Sequence, residues 1–237
     1  MKALVTGANR GIGYAVAARL GALGHTVVLG ARDAELGAKA AAELRAAGHD
    51  AQHVALDVTD QASVDAAAAG LDRLDVLVNN AGISGGFAGQ TPSEADPDLV
   101  RKVFDTNVFG IIRVTNAMLG LLRRSPSPRI VNVSSGIGSL AKMSGFDGPF
   151  ARIPASAVYA PSKTAVNSLT VQYAKELRGI LVNAADPGAC ATGFAKGVPY
   201  PITRTADDGA AIVVKLATLP ADGPTGGYFN DEGAVPW

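Results

Sequence analysis

The residues MKALVTGANRGIG at positions 1–13 constrain this chain more than any other stretch. A short apolar run, Ala3-Leu4-Val5, leads into Thr6 and then into glycines at 7, 11 and 13. From Tyr14 to Leu20 the pattern turns helical. Strand, tight turn and helix in that order form the unit of an α/β sheet. Glycine lets the backbone of such a turn bend sharply and lets a ligand come close. The unpaired N–H groups and the positive pole of the helix face whatever sits there. A pyrophosphate uses both features, so Gly7, Asn9, Arg10, Gly11, Ile12 and Gly13 are expected to hold a dinucleotide. The spacing is TGxxxGxG rather than GxGxxG.

Strands and helices alternate down the rest of the chain. Residues 25–31 (HTVVLGA) read as a buried parallel strand. Residues 33–47 read as a helix with Asp33 as its N-cap and Gly48 as its stop. A third strand is expected at 52–56, a helix at 59–69 and a fourth strand at 74–79. Loop follows at 83–96, one long helix at 99–123 and a fifth strand at 129–133. Residues 136–154 read as irregular, by their glycines and prolines. Then come a long helix at 157–178, a sixth strand at 180–185, a loop at 188–204, a helix capped by Thr205 and Asp208, and a last short strand at 226–230. Repeated βα units of this kind predict a doubly wound parallel sheet of Rossmann type, with about seven strands, helices on both faces and one domain over residues 1–237. Ligands in such sheets bind beyond the carboxyl ends of the strands. Thr6 to Gly13, Arg32, Asp57, Asn79 to Gly82, Ser134, Ser135, Pro187 and Gly188 gather at those ends.

Tyr159 and Lys163 stand four apart, so a helix puts them on one face. Pro161 between them fits only a first turn, which places the helix start near Ala157. A free phenol titrates near ~10, too high for easy proton exchange at neutral pH. An ammonium about 4 Å away at an effective dielectric of ~20 is worth about 4 kcal/mol, or roughly three pKa units. Lys163 is therefore expected to bring Tyr159 near the working pH. Such a phenol delivers a proton to a carbonyl oxygen while hydride reaches the carbon. Ser135, at a strand end, is placed to hold the same oxygen, whereas Ser134 reads as a turn residue.

These motifs together resemble the short-chain dehydrogenase/reductase family. The segments that carry the likeness are TGANRGIG (6–13), DV (57–58), NNAG (79–82), Asn107 within DTNVFG, VNVSS (131–135), YAPSK (159–163) and DPG (186–188). The resemblance implies Tyr159 as general acid/base and Ser135 as anchor of the substrate oxygen. It implies Lys163 on the nicotinamide ribose and Asn107 holding a water of a proton relay. Asp57 and Val58 would lie at the adenine, and Asn79, Ala81 and Gly82 along the adenosine and ribose. Pro187 and Gly188 would line the nicotinamide, with Thr192 near its carboxamide. VVLGARD (27–33), the C-terminal run GPTGGYFNDEGAVPW and the extra residues between Ser135 and Tyr159 are similar to the NADPH-dependent carbonyl reductase-like group.

The cofactor choice rests on the end of the second strand. NAD-preferring relatives carry an acidic residue there. Here Ala31 is followed by Arg32, which can pair with a 2′-phosphate, and Arg10 in the glycine turn can help. NADPH/NADP+ is the cofactor expected, and reduction of an aldehyde or ketone the activity. An NAD(P)+-dependent alcohol dehydrogenase and a catalytically silent dinucleotide-sensing protein are the alternatives.

A net formal charge of zero and 5 % aromatic residues argue against nucleic acid or an anionic membrane surface as partner. One cysteine, Cys190, allows no internal disulfide and reads as a small packed residue. With no signal-peptide pattern, the expected location is the cytoplasm. His25, His49 and His53 have no metal spacing, so no metal is expected. A homo-oligomer and a monomer are equally compatible with the sequence. The partner expected is a small carbonyl substrate, met by loops at 83–90, 136–154 and 188–204, with Phe146, Phe150, Phe194 and Tyr200 available for an apolar pocket.

Overall fold

The computed structural model of the chain describes residues 1–237 apart from Phe87, Phe146, Gly148, Pro149 and 197–200. Its strands are β1 (Lys2–Thr6), β2 (Thr26–Ala31), β3 (Ala51–Ala55), β4 (Val76–Asn79), β5 (Arg129–Val133), β6 (Leu181–Ala185), β7 (Tyr228–Asn230) and β8 (Gly233–Ala234). They form one sheet in the order β3-β2-β1-β4-β5-β6-β7-β8. Every pairing is parallel except the β7–β8 hairpin. The chain builds outward from β1 to β3, then crosses back to lay β4 on the other side of β1. That reversal opens a crevice over the carboxyl ends of β1 and β4.

The period-2 alternation of the strands divides the core in two. Ala3, Val5, Val27, Leu29, Val76, Val78, Val131 and Val133 face one side, against α1 (Gly11–Ala22) and α8 (Ala206–Ala217). Leu4, Val28, Leu77, Ile130 and Val182 face the other, against Val114, Met118 and Leu122 of α5 (Gly110–Leu122) and Tyr173 of α7 (Tyr159–Glu176). Both faces of the inner strands are dry, which is why these strands read as continuous apolar runs rather than alternating ones. Two expected caps are present. Asp33 accepts the Leu36 N–H at 3.0 Å to start α2 (Ala34–Ala46). Thr205 and Asp208 close a reciprocal capping box on α8.

Several expected boundaries move. The sheet has eight strands rather than about seven, because residues 233–234 turn back on β7. The helix at 99–123 is interrupted. It consists of α4 (Pro97–Phe104), a π-helical turn (Asp105–Phe109) and α5. A π turn carries an extra residue and shifts the direction of its side chains, and Asn107 sits inside it. Helix α7 starts at Tyr159 rather than Ala157. The Ala157 N–H is taken by the Gln90 carbonyl at 2.8 Å and the Val158 N–H by Ser156 Oγ at 3.1 Å, so neither enters the helix. Pro161 falls in the first turn, as its ring requires. The 136–154 stretch is less irregular than expected. It holds a 3₁₀ turn (Gly136–Gly138) and the four-residue helix α6 (Leu140–Met143), capped by Ser139. Among the described residues, no helix is long and apolar enough to cross a membrane.

Candidate active site

The glycine turn and the end of β4 are built as one unit. Thr6 Oγ1 accepts the Asn80 and Ala81 N–H groups at 3.0 and 2.9 Å. Asn80 Nδ2 returns bonds to the Thr6 and Gly7 carbonyls at 2.8 and 3.3 Å. Gly7 has φ 64°, and a Cβ there would lie 3.0 Å from Ala81 Cα. A Cβ on Gly13 would lie 2.7 Å from the Gly7 carbonyl oxygen. Neither position tolerates a side chain. The N-terminus of α1 receives no capping side chain, so its first N–H groups remain for an anion. Gly11 (φ 60°) faces Thr192, whose methyl would lie 3.6 Å from a Cβ placed there. The turn thus offers a cradle between its glycines and Thr192, which fits a dinucleotide pyrophosphate. Thr192 is found opposite this turn.

Arg32 follows the buried end of β2 and is exposed, as is Arg10. Neither enters an ion pair among the described residues. Asp57 Oδ1 accepts the N–H and hydroxyl of Thr59 at 2.9 and 2.7 Å. Against its partial burial, these bonds and the nearby Arg32 and Arg113 charges hold its carboxyl below the ordinary value. The Val58 side chain packs against Gly110 and its carbonyl accepts Arg113 Nη1 at 3.3 Å.

Tyr159 is the first residue of α7. Its N–H lies 3.3 Å from Gln90 Oε1 and 3.2 Å from Ser156 Oγ. Gln90 Oε1 also accepts the Ser156 hydroxyl at 2.6 Å, while its Nε2 donates to the Ser84 carbonyl at 2.7 Å and to that of Gly86. The buried Gln90 therefore acts as a remote N-cap, pinning the Tyr159 backbone to the loop after β4. One turn along, the buried Lys163 donates to the Val133 carbonyl at 2.7 Å. Its Nζ is 5.7 Å from the Tyr159 ring centroid. A Cβ on Gly82 would lie 3.7 Å from that Nζ, so the glycine keeps the NNAG end close to the lysine. Phe194 packs on the Tyr159 ring with centroids 5.4 Å apart. Phe150 lies against Gly136. Phe146 and Tyr200 lie outside the described residues.

The expected electrostatics of the pair are overturned. Burial pushes the Tyr159 phenol well up; the Ser135 hydroxyl bond opposes this and the Asp186 carboxylate adds to it. Burial is the largest influence on the phenol, and the Lys163 Nζ, 5.7 Å from the ring centroid, donates to the Val133 carbonyl. Burial also lowers Lys163 from 10.5 to about 8. Asp186 is itself buried, with Oδ1 accepting the Gly188 N–H at 3.0 Å. Gly188 has φ 70° and is covered by the Arg204 side chain. Pro187 packs against Gly209 of α8.

Three polar residues, Asn79, Asn107 and Ser134, turn their side chains inward. Asn79 Nδ2 donates to Thr115 Oγ1 at 3.1 Å and to Asn132 Oδ1 at 2.9 Å, and Asn132 passes a bond on to Thr170 at 2.9 Å. That amide serves the interior between β4, β5 and α5. Asn107, in the π turn, is engaged in the same way. Its Oδ1 accepts the Ile83 N–H at 2.8 Å, and its Nδ2 donates to the Ile83 carbonyl and to Ser162 Oγ, each at 3.0 Å. Ser134 bonds Asn167 Oδ1 at 2.5 Å and is structural. Cys190 is packed under Gly209, and burial raises its thiol. Ser135, by contrast, stays half-buried beside Tyr159.

Sequence reasoning missed Asn80, Gln90, Asp186 and Tyr228 as parts of this site. Asn80 and Asp186 stand inside the NNAG and DPG segments and were available to it. Gln90 and Tyr228 carry no local pattern.

Comparison with known proteins bears on this arrangement. The family model described as short chain dehydrogenase matches residues 1–200. The chain is an oxidoreductase of the short-chain dehydrogenase/reductase family. It is 31 % identical to salutaridine reductase of Papaver bracteatum, with 96 % of this chain and 93 % of that one covered. The NADPH-bound carbonyl reductase from chicken fatty liver superposes with a TM-score of 0.85 at 29 % identity, over 100 % of this chain and 98 % of that one. A 3-ketoacyl-(acyl-carrier-protein) reductase from Brucella melitensis, complexed with NADH, gives a TM-score of 0.81 at 28 % identity, over 97 % and 96 % of the two chains.

Proposed function

We propose that this chain reduces an aldehyde or ketone to an alcohol with NADPH. The observation that carries the reading is a half-buried phenol, Tyr159, in the first turn of α7, with the Nζ of the buried Lys163 5.7 Å from its ring centroid. Carbonyl reduction needs a proton donor at the oxygen as charge develops there. Tyr159 is stocked for that task at neutral pH. Ser135 donates to the same oxygen and fixes its position. Lys163, with its proton leaving near 8, is mostly charged at neutral pH and stabilises the phenolate as Tyr159 gives up its proton.

The cofactor would lie along the crevice. Gly7, Asn9, Arg10, Gly11, Ile12 and Gly13 would hold the pyrophosphate, with Thr192 opposite. Arg32, helped by Arg10, would pair with the 2′-phosphate. Asp33, the first acid after β2, is turned to α2, where it accepts the Leu36 N–H. Asp57 would meet the adenine, while Ala81, Gly82, Pro187 and Gly188 would line the ribose and nicotinamide end. Bound there, the reduced nicotinamide supplies hydride to the carbonyl carbon. Phe150 and Phe194 make the described part of the 136–154 and 188–204 segments apolar on the substrate side. The carbonyl reductase and salutaridine reductase relatives support the same reaction class.

The test is the initial rate of cofactor oxidation near pH 7 over a panel of aldehydes, ketones and diketones, NADPH beside NADH, with Tyr159→Phe as control. Turnover with NADPH that is lost in the variant is the expected result. NADPH binding without turnover of any carbonyl would overturn the reductase reading, and a preference for NADH would overturn the cofactor assignment.

A further inference from the structure

Residues 228–237 fold back over the segment that follows β5 and grip it at three points. The Tyr228 hydroxyl donates to the Ser135 carbonyl at 2.5 Å. The Ser139 hydroxyl donates to the Pro236 carbonyl at 2.5 Å, and the Ala141 N–H to the Trp237 carbonyl at 2.9 Å. The Trp237 ring stacks on that of Tyr228, with centroids 5.5 Å apart and planes 17° from parallel. Tyr228 itself is buried. Its strand is fixed on both sides: the Asp186 N–H donates to the Phe229 carbonyl at 2.8 Å, and the Val235 N–H to the Tyr228 carbonyl at 2.8 Å.

The Ser135 carbonyl also accepts the Gly138 N–H at 2.8 Å. Its two acceptor directions are therefore filled, one by the local 3₁₀ turn and one by a residue 93 positions away. Ser135 has an extended backbone (φ −164°, ψ 148°), which the local turn alone does not impose. A carbonyl held from both sides sets the peptide plane beyond Ser135. That restricts the direction in which its Cα–Cβ bond points. Burial, with the Asp186 carboxylate alongside, keeps the Tyr228 phenol protonated, so it remains a donor across the working pH range.

We propose that Tyr228 is a positioning residue for Ser135. Its hydroxyl orients the serine backbone for the carbonyl oxygen, and Trp237 holds the Tyr228 ring in place. The inference rests on the reading of Ser135 as oxygen anchor. A catalytic group displaced by about 1 Å can cost on the order of 10²-fold in rate. Removing one of the two bonds on the Ser135 carbonyl leaves the other, so roughly a 10-fold loss is expected.

Tyr228→Phe is the deciding variant, because it removes one oxygen and keeps the ring, its stacking and its volume. The expected result is a kcat about 10-fold lower, with KM, NADPH affinity by fluorescence and Tm nearly unchanged. Trp237→Ala keeps the hydroxyl but frees the ring, and a smaller fall in kcat is expected. Single-turnover rates with enzyme in excess extend the comparison to Ser135→Ala, on which Tyr228→Phe should change the rate less than 2-fold if it acts through the serine. A wild-type kcat in Tyr228→Phe, or an equal loss on both backgrounds, would overturn the proposal. Full activity in Ser135→Ala alone would instead overturn the serine's role, a failure recognisably different from that of the clamp.

Discussion

The amide oxygen of Gln90 lies 3.3 Å from the backbone nitrogen of Tyr159, 69 residues further along the chain. The Tyr159 N–H at the start of α7 is shared between Ser156 Oγ of its own flank, at 3.2 Å, and Gln90 Oε1 from the loop after β4, at the turn that carries the proposed proton donor. The cap also explains why the helix starts at Tyr159 and not two residues earlier.

Gln90→Leu should therefore lower kcat by about 10- to 100-fold and destabilise the fold by about 1–3 kcal/mol, since it leaves buried donors and acceptors unpaired. Gln90→Glu keeps the acceptor for Tyr159 but puts a carboxylate oxygen where Nε2 donates to the Ser84 and Gly86 carbonyls. It should keep more activity than Gln90→Leu while also losing stability. Steady-state kinetics beside urea unfolding check this; a Gln90→Glu kcat no higher than that of Gln90→Leu would rule out capping as the role of Gln90.

Lys163 gives a pH signature. Its ammonium titrates near 10.5 in the unfolded chain and near 8 in the fold. Between those values the unfolded state binds more protons than the folded one, so stability rises with pH through that window. The full span corresponds to about 3 kcal/mol. In the cofactor-free protein, urea unfolding at pH 7, 8, 9 and 10 should show this rise, and Lys163→Met should flatten it. Activity should move the other way. As Lys163 loses its charge above pH 8, the phenolate loses its support, and kcat/KM for reduction should fall. A fall that begins only above pH 10 would assign the alkaline limb to Tyr159 instead.

The fold was legible where local chemistry decides it. The glycine turn, the dry runs of β1, β2 and β5, the Asp33 cap and the Thr205–Asp208 box all act within a few residues of themselves. The π turn was hidden because the apolar pattern of 99–123 runs across it without a break. Its presence depends on Asn107 meeting Ile83 and Ser162, which sequence distance conceals. At the site, the identities of Tyr159, Lys163 and Ser135 were readable, but their electrostatics were not. The sign of the Tyr159 shift depends on burial and on the Asp186 carboxylate, which only the fold brings near. Asn79 shows the same limit. A polar residue at a strand end reads as a ligand contact until the interior partner, here Asn132, is seen.

Arg32 should govern the cofactor. A hydrogen bond to a charged group is worth about 1.5–3 kcal/mol, which corresponds to roughly 10- to 150-fold in affinity. Arg32→Asp should lower the kcat/KM ratio of NADPH to NADH by at least that factor, since it also adds repulsion. Fluorescence titration of both cofactors measures this without a substrate. An unchanged ratio would move the 2′-phosphate contact to Arg10.

Asn79 provides the last discrimination, between a residue that holds the sheet and one that holds the cofactor. Its amide links Thr115 and Asn132, and through Asn132 reaches Thr170 on α7. Asn79→Ala would leave Thr115 Oγ1 and Asn132 Oδ1 without their donor in a dry interior, and would open a small cavity. The two effects together should cost about 2–4 kcal/mol of stability. Because the side chain faces away from the crevice, NADPH affinity of the folded fraction should stay within about 2-fold of wild type, against the tenfold that 1.4 kcal/mol of lost contact would produce. Thermal unfolding and cofactor titration on one preparation separate the two quantities. Weakened binding with unchanged Tm would return Asn79 to the adenosine ribose and contradict the network; the reverse pattern identifies Asn79 as the tie that keeps the ends of β4 and β5 level beneath the site.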